Sequence, residues 1–365
     1  MALFIQDLTL ARFRSHTRAR ISAGPRPMAI FGPNGAGKTN LLEAVSLLSP
    51  GRGMRRASAA DVTQRGAPGW SIRATLQSTD RPRDLALRSK DGAARSLRID
   101  DKSETQAALG RLARVLWLVP AMDRLWIEGA EGRRRFLDRM TLSFFPAHGE
   151  AVLIYDKAMR DRNRLLKDHN RDAGWYDALE RQMAEAALRI TNHRTQAVAR
   201  ILRAQAETHT AFPTAGLELT HPDAPLPCDA DALRQAWARA RVGDMQAGRT
   251  LMGPHRVDLL GTYVARACSA ADCSTGEQKA LLISLILANG RALLDDTGAA
   301  PILLLDEVAA HLDPDRRAAL YDEICALGSQ AWMTGTEQAL FEALGPRADY
   351  LHVTTQEDVS QVAPA

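Results

Sequence analysis

The run Gly32-Pro33-Asn34-Gly35-Ala36-Gly37-Lys38-Thr39 has the residue types and spacing of a cradle for the phosphates of a nucleotide. Gly35 and Gly37 let backbone N–H groups turn inward around an anion, and the N-terminus of a following helix adds its partial positive charge. Lys38 stands where a lysine bridges the β- and γ-phosphates, and Thr39 where a hydroxyl holds Mg2+. With Asn40, these residues are the expected contacts to ATP. A second, acidic half lies far downstream. The apolar run Ile302 to Leu305 ends in Asp306 and Glu307, and two charges at the end of a buried strand are costly unless they meet a cation. Asp306 fits the Mg2+ side, together with Thr39, and Glu307 fits the base or orienter of an attacking water. Lys38, Asp306 and Glu307 are therefore the catalytic candidates. The two carboxylates could instead cap a helix. Beside a phosphate cradle they favour hydrolysis, because a kinase that passes the phosphate to a substrate has less need of Glu307.

Ser274-Thr275-Gly276-Glu277-Gln278 opens an apolar helix, with Ser274 standing 32 residues before Asp306. Ser274 and Glu277 alone make an ordinary capping box. Their placement, and the continuation through Gly276 and Gln278, are the mark of ABC-type ATPases. In that class the serine and the helix N-terminus reach the γ-phosphate held by another subunit, so ATP is buried between two copies. Ser274, Gly276 and Gln278 thus join the expected nucleotide contacts, and a homodimer formed on ATP is the expected assembly. Asp313 stands where the class places an aspartate that crosses between subunits. A transporter-type ATPase would show a switch histidine at Thr334-Gly335-Thr336-Glu337; none is there, and Thr336 is the candidate γ-phosphate sensor.

These residues need a scaffold, and the hydrophobic pattern supplies one. Residues 3 to 31 read as strands ending in the apolar Met28 to Phe31, followed by the glycine loop and a helix over Thr39 to Leu48, stopped by Pro50 and Gly51. Alternating segments at Ser71 to Leu76 and Leu85 to Leu87 suggest antiparallel strands, with Asp91-Gly92 as a hairpin turn. From Met122 the character turns helical, with stretches at Ala151 to Leu166 and Tyr176 to Leu202. Leu179, Met183, Ala186, Ala187 and Ile190 recur at helical spacing, the stripe of a packed amphipathic helix. Residues 213 to 231, with four prolines, read as a loop. From Leu251 helices at Glu277 to Asn289 and Arg316 to Leu327 alternate with apolar strands at Ile302 to Leu305 and Ala331 to Thr334, the pattern of a parallel sheet covered on both faces. The expected fold is α/β: an ABC-type ATPase core with mixed and parallel sheets (1–121 and 251–365), interrupted by a mainly helical arm (122–250). The tail from Thr354 is expected to be loose.

Composition narrows the partners less sharply. No run approaches the roughly 20 apolar residues of a membrane span, and Met1 to Leu10 lacks the layout of a secretory signal, so a cytoplasmic, membrane-free protein is expected. The four cysteines offer one close pair, Cys268 and Cys273, without the further ligands of a zinc site, and are expected to be reduced, buried thiols. His255 stands alone and is not read as a metal ligand. Residues 1 to 60 hold nine basic and two acidic side chains, a stretch that could face phosphate, although arginine outnumbers lysine 41 to 6 along the whole chain. Arg12, Arg14, Arg18, Arg20, Arg52, Arg55 and Arg56 are the candidates.

Along residues 1 to 345 the chain resembles the RecF family. Gly37-Lys38-Thr39-Asn40-Leu41-Leu42-Glu43-Ala44 is the wording of the phosphate loop in RecF and SMC proteins. Arg133-Arg134-Arg135-Phe136-Leu137-Asp138 is similar to a RecF segment joining core to arm, and Gly253-Pro254-His255-Arg256 to another family element, with Val257 where an aspartate is frequent. The resemblance implies slow ATP hydrolysis, an ATP-dependent dimer, binding to gapped DNA where single strand meets duplex, and work with RecR and RecO in loading RecA. A transporter motor is disfavoured by the long insertion and the missing histidine, and an SMC-like bridge by the lack of a long heptad run. An ATPase of the same superfamily acting outside repair, such as a defence-system motor, remains the rival.

Overall fold

The computed structural model describes residues 3–78, 80–222 and 224–365. The chain folds as two compact units, one built from Met1–Arg124, Arg203–Thr214 and Ser274–Ala365, the other from Leu125–Leu202 and Ala215–Cys273.

The first unit opens with strands β1 (Phe4–Phe13), β2 (His16–Ser22) and β3 (Met28–Phe31), helix α1 (Lys38–Ser46), strands β4 (Gly69–Gln77), β5 (Arg83–Lys90), β6 (Ser96–Ile99) and β7 (Lys102–Glu104), the short α2 (Leu109–Leu112) and β8 (Val115–Leu118). Six of these strands form an antiparallel sheet in the order β2-β1-β4-β5-β6-β7. Its strands alternate as a half-buried sheet requires: Trp70, Ile72, Ala74 and Leu76 of β4 point into the core, and the residues between them do not. Asp91 and Gly92 both take positive φ, as the hairpin reading expects.

The second unit carries α3 (Ala130–Phe144), α4 (His148–Lys167), most of α5 (Ala173–Ala206), β9 (Ala215–Thr220), α6 (Ala230–Ala247), β10 (Asp258–Tyr263) and β11 (Cys268–Ser269). The helical stripe is core: Met183, Ala186, Ala187 and Ile190 pack with Ala151, Tyr155 and Ala158 of α4 and with Leu233 and Trp237 of α6. Arg162 is fully buried there, held by Glu180 at 3.0 Å, Asp244 at 2.7 Å and Thr250 at 2.8 Å. The segment read as a loop from its prolines contains β9, which pairs antiparallel with β10. That pairing joins residues some forty positions apart (Leu219 with Leu259), and local composition does not carry it. It also keeps the chain in this unit as far as Cys273, beyond the expected return at Leu251.

The Gly-Pro-His-Arg element lies in this unit too. His255 Nδ1 is 2.8 Å from the Tyr155 hydroxyl and Nε2 is 3.1 Å from the Thr250 carbonyl, so both ring nitrogens are engaged by protein. Burial lowers its pKa to about 4, and it is a neutral packing residue.

The chain then completes the first unit with α7 (Thr275–Thr297), β12 (Ile302–Leu305), α8 (Pro314–Leu327), β13 (Ala331–Gly335), β14 (Asp349–Gln356) and β15 (Val359–Pro364). The second sheet runs β15-β14-β3-β13-β12-β8, parallel except for the β14–β15 pair. All four residues of β8 and of β12 are buried, which is why these strands read as unbroken apolar runs. The C-terminal tail is not loose: β15 folds back on β14 as a hairpin, and Ser360 is buried. The sequence hides this because β15 is short, and its anchor is tertiary.

All four cysteines are free, but only Cys273 is buried and Cys228 is exposed, just ahead of the Asp229 cap of α6, so the expectation of buried thiols fails there. Among the described residues no helix is long and apolar enough to cross a membrane, and no cluster of three metal-ligating side chains occurs.

Candidate functional site

The glycine loop lies between β3 and α1, and its opposite wall is the end of β12. Parallel pairing of β12 and β13, and of β13 and β3, brings the ends of these strands to one edge of the sheet. Thr39 Oγ1 donates to Asp306 Oδ1 at 2.8 Å, joining residues 267 apart in sequence. Two oxygen donors so placed suit Mg2+, which takes one or two carboxylates or hydroxyls from a protein and completes its shell with phosphate and water. Lys38 is buried, its Nζ donating to the Gly32 and Pro33 carbonyls at 2.7 and 2.8 Å. Burial lowers the Lys38 pKa, and the charges of Glu307 and Asp306 work against that shift.

Glu307 follows Asp306 with a φ of 54, in the left-handed region that non-glycine residues avoid at a cost of about 1 kcal/mol or more. One residue missed at the sequence level holds both the Asp306 carboxylate and the Glu307 backbone. Thr334, at the end of β13, donates to Asp306 Oδ1 at 2.8 Å and accepts the Glu307 N–H at 2.9 Å. A hydroxyl in an otherwise apolar buried strand was its only signal. Thr336, the residue proposed as sensor, is exposed just past the end of β13.

Two side chains hold the glycine loop from outside. Ser360 Oγ donates to the Ala36 carbonyl at 2.6 Å, and His16 Nε2 lies 3.1 Å from the Gly37 carbonyl. A trans peptide whose C=O points outward presents its N–H on the opposite side. The Gly37 and Lys38 amides are thereby aimed inward, where a phosphate would sit. With its single proton on Ala36, Ser360 accepts from the Ser15 hydroxyl 2.7 Å away, and Ser15 accepts from Asn40 Nδ2 at 2.8 Å. Asn40 is thus tied to the loop's support. Gly37 has a φ of 100, and a Cβ there would lie 2.3 Å from Ser360 Oγ, so no other residue fits.

The signature segment forms the N-terminus of α7. Ser274 caps it in a full capping box with Glu277, so that reading holds within the single chain. Beyond Glu277 the helix is buried, and Gln278 and Lys279 are both enclosed. Lys279 Nζ lies 3.6 Å from Asp123. Ser274, Thr275 and Gly276 are exposed. A Cβ at Gly276 would meet no atom within 4 Å among the described residues, so packing there does not call for glycine. Asp313 caps α8, accepting from the Arg316 amide at 2.8 Å, and is half exposed.

Of the basic candidates, Arg14 is committed elsewhere: its guanidinium binds the buried Glu43 carboxylate through two bonds of 2.9 and 2.7 Å. Arg55 also reaches Glu43, at 3.4 Å, and Asn40 at 3.0 Å. Arg12, Arg18, Arg20, Arg52 and Arg56 are exposed.

The model of the RecF/RecN/SMC N terminal domain matches residues 4–361. The chain is 47% identical over 363 residues to the DNA replication and repair protein RecF of Rhizobium rhizogenes, covering 96% of this chain and 97% of that protein. It is 45% identical to RecF of Brucella suis, covering 96% and 94%. Its structure is similar, with a TM-score of 0.87 at 19% identity, to a solved recombination mediator RecF with ATP of the RecFOR pathway, covering 100% of this chain and 98% of that one. A Pyrococcus furiosus Smc head domain with an extended coiled coil gives a TM-score of 0.58 at 16% identity, covering 100% and 96%. These two structural likenesses show the fold.

Proposed function

The chain belongs to the RecF family within the RecF/RecN/SMC group, and from that premise we propose that it is an ATP-operated DNA clamp of recombinational repair. The observation that carries the proposal is the 2.8 Å contact between Thr39 and Asp306, which joins the phosphate loop to the acidic strand end in one site. ATP binds with its phosphates against the inward amides of Gly37 and Lys38. Lys38 exchanges the Gly32 and Pro33 carbonyls for phosphate oxygens. Thr39 and Asp306 would hold Mg2+, which would supply charge neutralisation at the phosphates. Glu307, steered by Thr334, orients and deprotonates the attacking water, and hydrolysis is slow, resetting the clamp.

The exposed α7 N-terminus, with the open space over Gly276, supports closure by a second copy in which Ser274 and Gly276 reach the nucleotide across the interface, whereas Gln278, expected to join them, is enclosed in its own chain. Asp313 crosses with them. The homodimer binds gapped DNA and acts with RecR and RecO to load RecA, partners that rest on family membership. A binding titration against gapped DNA, with and without ATP and at two salt concentrations, tests this reading. ATP-dependent, salt-sensitive binding is expected. Absence of DNA binding under every condition would leave only an ATPase of the same superfamily.

A further inference from the structure

The outer face of the antiparallel sheet bears arginines in two adjacent rows. The register places Arg20 of β2, Thr9 of β1, Arg73 of β4, Ala86 of β5 and Arg98 of β6 side by side. The next row is Arg18, Ala11, Ser71, Arg88 and Ser96. Because side chains alternate along a strand, all ten point to the same face, opposite the buried Leu8, Leu10, Ile72 and Leu87. The five arginines are exposed, and the residues between them are small. Neither row contains a carboxylate; Asp7 and Asp84 stand together in the row beyond, at one end of the face.

Elsewhere on this sheet Arg83 is paired with Asp100 at 2.9 Å. Among the described residues the guanidinium groups of Arg18, Arg20, Arg73 and Arg88 make no ion pair or hydrogen bond, and that of Arg98 bonds only the Asp101 carbonyl. Five like charges held this close repel one another, an arrangement that a polyanion relieves. From β2 to β6 the face spans four strand spacings, about 19 Å, and that length of duplex axis carries on the order of eleven phosphates. The floor of Thr9, Ala11, Ser71, Ala86 and Ser96 gives a shallow track with guanidinium groups standing along it. No side chain there has the pattern to read base edges.

We propose that this sheet face is a docking track for the phosphodiester backbone of nucleic acid, sequence-blind and held by Arg18, Arg20, Arg73, Arg88 and Arg98. The inference rests on the DNA-clamp reading and locates its DNA contact; it replaces Arg14 and Arg55, whose charge is engaged by Glu43, with residues on three further strands.

The test is the salt dependence of DNA binding by the full chain, with ATP and Mg2+, on duplex, single-stranded and gapped DNA. Arg18, Arg20, Arg73 and Arg88 are changed together to Gln in one variant and to Lys in another, and Arg171, Arg181, Arg189 and Arg239 to Gln in a control. Wild type and the lysine variant should share one slope of log affinity against log salt. The glutamine variant should lose about 3 to 4 units of that slope on duplex and at least tenfold in affinity at low salt, with ATP affinity unchanged. The DNA form losing most slope identifies the backbone the track holds. An unchanged slope in the glutamine variant overturns the track, as does an equal loss in the control, which would mean diffuse charge. A wild type that binds no DNA at all sinks the clamp reading itself, a distinguishable failure.

Discussion

Asp306 is where the two halves of the site meet: Thr39 and Thr334 both donate to its Oδ1 at 2.8 Å. Lys38, Thr39, Asp306 and Glu307 were legible in the sequence because each sits in a contiguous motif whose backbone context, strand then loop then helix, can be read locally. Thr334 was not, since its part depends on β13 lying beside β12. Two residue-scale outcomes separate their tasks. Glu307→Gln should retain ATP affinity and lower hydrolysis by a factor of about 10² or more, the usual contribution of a positioned base, as read in a single-turnover assay. Hydrolysis at the wild-type rate would remove Glu307 from that role. Thr334→Val should lower hydrolysis about tenfold or more while ATP affinity changes little, because it frees the Glu307 backbone without touching the phosphate loop; an equal loss of affinity would make Thr334 part of the nucleotide cradle instead.

At the scale of elements, the sequence showed the apolar strands and the helical stripe and concealed what depends on distant pairing. β9 was hidden among prolines, and the β14–β15 hairpin by the shortness of β15, yet Ser360 of that hairpin supports the phosphate loop across 324 positions. Ser360→Ala should weaken ATP binding by about tenfold, roughly one hydrogen bond to an ordered loop, and Ser360→Thr should restore it. Equal affinity of the alanine variant and wild type, by calorimetric titration, would show that the loop holds its shape unaided. In the arm, Asp138 joins α3 to α5 through Arg194, with bonds of 2.8 and 3.0 Å, and to His148 at 3.0 Å. Burial alone would raise its pKa, but Arg194 and His148 outweigh it and hold it at about 2. A carboxylate depressed on folding contributes stability above its unfolded pKa near 4, and loses it as pH falls through that value toward about 2. With partial exposure discounted, about 1–2 kcal/mol is involved. Urea unfolding of wild type and Asp138→Asn should show a stability gap at neutral pH that narrows by that amount between about pH 4 and pH 2. A gap independent of pH would contradict the ion-pair account.

At the scale of the whole molecule, one copy presents an exposed α7 N-terminus. Net charge, +4 over 365 residues, gave little guidance to partners, because arginine is abundant throughout and its arrangement on the sheet appears only with the strand register. Within one chain Ser274 is an ordinary cap, and among the described residues nothing packs over Gly276. The central claim is therefore that ATP joins two copies through this helix end. Light scattering of the full chain at micromolar concentration, with and without ATP and Mg2+, measures it most directly. Wild type should rise toward twice the mass of one 39.9 kDa chain with ATP, Glu307→Gln should stay there, and Ser274→Arg should remain a monomer while still binding ATP. A wild type that stays monomeric with ATP bound would contradict the account.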